Sequence, residues 1–180
     1  DLGLVAHYPF DGNASDISGN GNHGTVDGAE LTTDRFETAS RAYRFDGIND
    51  KISAPFTNAP LGDANRTLSL WVKADSLENE NKHAINWGTM ENGKAFGLIK
   101  GYYNNKHEWI FYSHGLIPYD RSSGVQTDTQ WHQVTITYDA TTIRTYIDGT
   151  LRDSGAVALN TTGAQLLIGT ALDNNGHWKG

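Results

Sequence analysis

Two stretches of this 180-residue chain gather side chains capable of chemistry. The first sets side-chain oxygens at alternate positions, Asp16, Ser18 and Asn20, just ahead of Gly21, with Asp27 closing the stretch. Hard cations such as calcium take about six to eight oxygens from flexible loops that turn sharply at a glycine. The spacing mimics an EF-hand loop, but its last position is Asp rather than Glu and no helical pattern flanks it, so an EF-hand is excluded. Asp, Asn, Ser and Gly also build metal-free Asx turns, and the residues leave both readings open. Zinc is disfavoured because His23 has no second ligand at zinc spacing.

The second stretch, residues 83–121, concentrates His83, Trp87, Lys94, Tyr102, Tyr103, Lys106, His107, Trp109, Tyr112, His114, Tyr119 and Arg121. A sugar presents C–H faces and hydroxyls, so binding one takes an aromatic platform flanked by hydrogen-bonding side chains. Lys100-Gly101-Tyr102-Tyr103-Asn104-Asn105-Lys106 supplies that mixture in what reads as a hairpin loop. The candidate carbohydrate-binding residues are Trp87, Tyr102, Tyr103, Lys106, His107, Tyr119 and Arg121. Their local positive charge points to an anionic glycan. Trp109 and Phe111 alternate with Ile110 and Tyr112 on a strand, so one pair is expected in the core, as are Trp71 and Trp131. Catalytic signatures are missing: Glu78-Asn79-Glu80 sits in a polar loop, and no Gly-x-Ser-x-Gly elbow occurs. The chain is expected to be non-catalytic. Three sequons, at Asn13, Asn65 and Asn160, read as chance in an Asn- and Thr-rich chain.

The elements that must carry these residues are strands. Trp131–Tyr138 alternates Val134, Ile136 and Tyr138 against Gln133, Thr135 and Thr137. Residues 142–147 follow, then Asp148-Gly149 and Thr150-Leu151-Arg152, a type I′ hairpin signal. Further strands are expected at 3–10, 41–46, 50–54, 66–74, 83–88, 95–101, 107–113 and 164–170, separated by Gly-, Asn- and Asp-rich turns. Such a series of short strands predicts an all-β sandwich or barrel in one domain. The net charge of −7 and scattered basic residues argue against binding nucleic acid or anionic lipid. No apolar run is long enough to span a membrane. With no cysteine there can be no disulfide framework, thiolate nucleophile or Cys-ligated metal. The opening at Asp1 lacks a signal-peptide pattern, so any such peptide is expected to have been removed.

Three segments carry a family resemblance. They are Leu4–Gly12 running on to Asp16–Gly24, Tyr43-Arg44-Phe45-Asp46-Gly47 with Asp50-Lys51-Ile52, and Trp131-His132-Gln133-Val134-Thr135 with Tyr146-Ile147-Asp148-Gly149. In this order and spacing they resemble the bacterial laminin G-like domain of the concanavalin A-like lectin/glucanase jelly rolls. The resemblance implies a two-sheet antiparallel jelly roll, usually one module of a larger secreted protein. Such modules bind glycans or proteins, or act as spacers. It also implies a structural calcium, with Asp11, Asp16 and Asn20 as side-chain ligands and carbonyls near Asn22 and His23. The family's closing strand, which pairs beside the N-terminal strand, does not follow Gly176–Gly180, so a sandwich lacking that strand is expected. The glucanases of this fold carry Glu-x-Asp-x-x-Glu, which is missing here. Residues 97–105 are faintly similar to a jelly-roll alginate lyase motif, without its partner motifs. The reading is a non-catalytic lectin-like module with calcium. A protein-binding adhesion or spacer domain is the main alternative, and a small polysaccharide lyase the lesser one.

Overall fold

The computed structural model describes residues 3–103, 105–115 and 118–180, with Tyr103 by its backbone. Thirteen strands appear in it, and no helix occurs among the described residues. In chain order they are β1 Thr25–Asp27, β2 Glu30–Thr32, β3 Ala42–Arg44, β4 Lys51–Pro55, β5 Arg66–Val72, β6 Lys82–Gly88, β7 Ala95–Tyr103, β8 Lys106–Tyr112, β9 Arg121–Gln126, β10 His132–Tyr138, β11 Thr142–Ile147, β12 Thr150–Ala156 and β13 Gln165–Ile168. One antiparallel sheet of seven strands runs β1-β4-β13-β6-β7-β8-β9, a second of four runs β12-β11-β10-β5, and β2-β3 forms a separate hairpin. This is the expected two-sheet jelly-roll sandwich.

The strands form where side chains alternate. In β10, Val134, Ile136 and Tyr138 are buried, while the residues between them face outward. They meet Trp87, Phe96, Leu98, Trp109 and Phe111 from the seven-stranded sheet, so two half-buried sheets share one core. The β11–β12 hairpin turns at Asp148 and Gly149, both with positive φ (50° and 75°), as a type I′ turn requires. The sheets are also tied by charge. Arg121 of β9 donates from Nε and Nη2 to the Asp153 carboxylate of β12, at 2.7 and 2.8 Å. Gly155 leaves room for this fork, since a Cβ there would lie 2.3 Å from the Arg121 guanidinium carbon.

Residues 3–10 depart from the expectation: they form no strand. One side of this backbone is spent on the following loop. Val5 carbonyl oxygen accepts from Ser18, Asn20 and Asn22 side chains, and His7 pairs with Asp16 and Ile17. Among the described residues, the four-stranded sheet ends at β5. Its inward-facing Leu68 and Leu70 are only half-buried. β9 was not legible in the sequence, because Arg-Ser-Ser-Gly-Val-Gln has no apolar alternation, and Gly124 takes a positive φ within it.

Candidate functional site

The β7–β8 hairpin brings together part of the expected sugar site. Antiparallel pairing sets Tyr102 opposite His107, with ring centroids 4.9 Å apart and the planes tilted by 43°. Asn105, with φ of 60°, makes the turn, and its side chain lies 3.5 Å from the Tyr102 hydroxyl. Asn81 reaches in from the preceding loop and accepts from the Tyr102 backbone N–H at 3.2 Å. Lys106 is exposed beside this pair. Burial, helped by the Lys100 charge, holds the His107 imidazole below its ordinary pKa, so the ring is neutral at pH 7. The hairpin end thus offers two tilted rings, two Asn side chains and one exposed cation. The Tyr103 side chain lies outside the described residues.

The other candidates lie elsewhere. Trp87 is only 3% exposed, packed edge-on against Phe56 at 5.3 Å and tilted against Phe96 at 4.8 Å. It is a core residue, because β6 turns Ile85 and Trp87 to the same inner side. Arg121 is spent on the inter-sheet pair with Asp153. Tyr119 packs on the core at the far end of the same strands, against Gly93. The eight residues from Ala95 to Tyr102 put it roughly 20 Å from the hairpin tip. Trp109 and Phe111 are buried as expected.

Trp71 corrects the opposite expectation. It is 42% exposed on the outer face of β5, and Trp131 is only half-buried. The Arg35 guanidinium lies 4.3 Å from the Trp71 ring centre and 4.2 Å from that of exposed Phe36. The signal was in the alternation: Thr67, Ser69 and Trp71 share one face, and the first two are polar.

The 11–23 loop does not fit the calcium set. Asp16 is buried, and its two oxygens already accept from the backbone N–H of His7, Ser18 and Asn22 and from the Ser18 hydroxyl. Burial pushes its pKa up, but these four bonds outweigh it and hold the carboxyl below its usual range. Asn20 turns its amide nitrogen to the Leu4 and Val5 carbonyls and its oxygen to Asn58. Asn22 is fully buried, bonding Val5 and Thr57 through its side chain, and its carbonyl accepts from the Tyr8 hydroxyl at 2.5 Å. The His23 ring nitrogen accepts from the Asp16 N–H, and Asp11 is exposed and paired with Arg41. A cation would have to displace donors from nearly every proposed ligand. Among the described residues, no group of three or more His, Asp and Glu side chains is arranged to hold a metal.

The sandwich, its motifs and its register agree with a known family. A laminin G family profile, described as the concanavalin A-like lectin/glucanases superfamily, matches residues 46–180. The chain belongs to this superfamily. No curated protein sequence matches it. Among solved structures, this laminin G-like domain is similar to domain 4 of AbnA, a GH43 extracellular arabinanase from Geobacillus stearothermophilus in complex with arabinotriose. The TM-score there is 0.76 at 22% identity, covering 98% of this chain and 87% of that one. It is also similar to the binding domain of botulinum neurotoxin DC in complex with SialylT, with TM-score 0.68 and 14% identity over 92% of this chain and 42% of that one. An endo-β-1,4-glucuronan lyase from the fungus Trichoderma reesei follows at TM-score 0.52 and 10% identity, covering 87% and 81%. At these identities the laminin G-like domain shares a fold with binding domains and with an enzyme alike.

Proposed function

We propose that this laminin G-like domain is a non-catalytic carbohydrate-binding module, acting outside the cell as one part of a larger protein. The observation that carries the reading is the Tyr102–His107 pair at the end of the β7–β8 hairpin. Two rings in that setting offer faces for sugar C–H groups. Asn81 and Asn105 offer amide groups for hydroxyls, and Lys106 supplies a charge for a carboxylate-bearing sugar. The likeness to domain 4 of AbnA, solved with arabinotriose, supports an oligosaccharide as the ligand class. Calcium is left out of the reading, because the loop acceptors already hold donors.

The test is titration of the domain against a panel of neutral and uronate-containing oligosaccharides, followed by Tyr102→Ala on any ligand found. Loss of the ring should weaken binding by about 1–3 kcal/mol, roughly five- to 150-fold. Unchanged affinity in Tyr102→Ala would remove the hairpin site. If Trp71→Ala abolished binding instead, the platform would lie on the outer face of β5.

A further inference from the structure

The β7–β8 hairpin sets a histidine with an unpaired ring nitrogen beside a buried lysine that meets no carboxylate. His107 Nδ1 is buried and has no hydrogen-bond partner among the described residues. Register places Lys100 opposite Trp109, one inward-facing pair deeper into the sheet than Tyr102 and His107. Lys100 is only 2% exposed. Among the described residues its Nζ donates to two carbonyls, Ser76 at 2.8 Å and Glu78 at 3.5 Å, and to no carboxylate. The carboxylates of Glu78 and Glu80, in the same loop, pair with Lys179 and Lys82 instead. A buried cation met only by carbonyl dipoles leaves a positive field at the hairpin. Lys106 adds an exposed charge, on a chain whose net charge is −7.

Each element packed around the His107 ring contributes either a cation or a neutral group. From β7, Tyr102 lies against the ring and Lys100 acts on it through charge. On β8 itself, Glu108 alternates to the other side of the sheet and bonds Ser122. Beyond β9, Thr127 donates its N–H to the His107 carbonyl, and the adjacent Asp128 is bonded to His132. The loop before β6 brings neutral Asn81 to Tyr102. With its surroundings so arranged, the free ring stays neutral. A carboxylate arriving between Lys106 and the ring reverses the balance, because an opposite charge within about 4–6 Å favours the imidazolium. A sugar hydroxyl carries no such charge.

We propose that His107 takes up a proton together with the carboxylate of an acidic sugar, so that the hairpin site is selective for uronates and tightens as pH falls. This rests on the hairpin reading above, and adds the charge class of the ligand and its control by pH. Nδ1 is buried, so Nε2 is the nitrogen left to donate to the sugar carboxylate. Lys106 holds the same carboxylate from the exposed side. The proton comes from solvent and returns to it when the sugar leaves. The free ring titrates below its ordinary range and the complexed ring above the free one. Between the two, the complex holds the extra proton, so affinity grows as pH falls and levels off below the free value. The sugar carboxylate itself stays ionised above about pH 5.

The probes are a β-1,4-linked glucuronate trisaccharide and cellotriose, which share a backbone and differ in a carboxylate for a hydroxymethyl group. Both are titrated by calorimetry with the 180-residue chain. The glucuronate should bind more tightly than cellotriose, and its affinity should rise about fivefold or more from about pH 7.5 to about pH 5.5, while that of cellotriose stays flat. Proton uptake should appear as a dependence of the measured heat on the ionisation enthalpy of the buffer. His107→Phe keeps a ring that cannot take a proton, and should abolish this buffer dependence. Calorimetry of the wild type carries the test alone if that variant fails to fold. Equal affinity for the two sugars, or glucuronate binding without proton uptake, would overturn the proposal and leave the hairpin reading standing. Silence from both probes would overturn it too, and the hairpin reading falls with it only if the wider oligosaccharide panel is also silent.

Discussion

His132 is held between two carboxylates: one ring nitrogen lies 2.7 Å from Asp148 and the other 3.0 Å from Asp128. Burial lowers its pKa, but the bonds and charges of both partners outweigh burial and raise it. A raised histidine stabilises fully below its unfolded pKa, and that contribution is lost as pH rises through the folded one. The Tm difference between the wild type and His132→Gln should therefore shrink from about pH 6 to about pH 9; a constant difference would contradict the clamp. Asp120 has the opposite sign for an acid. Burial pushes it up to about 6, against the N–H groups of Ser113 and His114 that favour its charge. The folded state thus loses stability as pH climbs from about 4 through about 6. Asp120→Asn should raise the Tm at pH 8 more than at pH 5. Residue type was legible at this scale, and the facing of each residue less so. Tyr102 and His107 were readable as a pair because one hairpin carries both. Trp87 and Trp71 exchanged their expected roles because a tryptophan fits either face, and only its neighbours' polarity distinguishes them.

At the scale of elements, Arg121 is a tie between β9 and β12 rather than a ligand. Arg121→Ala should cost about 2 kcal/mol in chemical denaturation, since it strands a half-buried carboxylate, and should leave glycan affinity unchanged. Gly155→Ala displaces the same guanidinium, so the two substitutions should be less than additive in a double-mutant cycle. The loop after residues 3–10 is held by Asp16. Asp16→Ala leaves three backbone N–H groups without acceptors and should cost roughly 3 kcal/mol or more. Melting in calcium and in EDTA should coincide; a calcium-dependent rise would restore a metal to this loop. The β11–β12 hairpin was legible because Asp148-Gly149 fixes the turn, although the register shifts between Thr145 and Tyr146. The 3–10 strand was not, because Ser18, Asn20 and Asn22 side chains take one side of its backbone, and side-chain reach leaves no period in a sequence.

At the scale of the whole molecule, the sandwich class follows from alternation in strands such as β10 together with the turn residues between strands, and the family motifs mark its order. The acidic balance, with a sequence pI near 5.4, predicts least solubility close to that pH, measurable by light scattering. The order of the seven-stranded sheet has a further consequence. β13, from residues 165–168, inserts between β4 and β6, from residues 51–55 and 82–88. During synthesis the ribosome must therefore release the chain past Ile168 before β4 and β6 gain their shared neighbour. Until then both present unpaired backbone to the cell, a window for chaperones and for mispairing. Closing such distant contacts also makes folding slow, in the millisecond-to-second range of sandwiches with many non-local pairs.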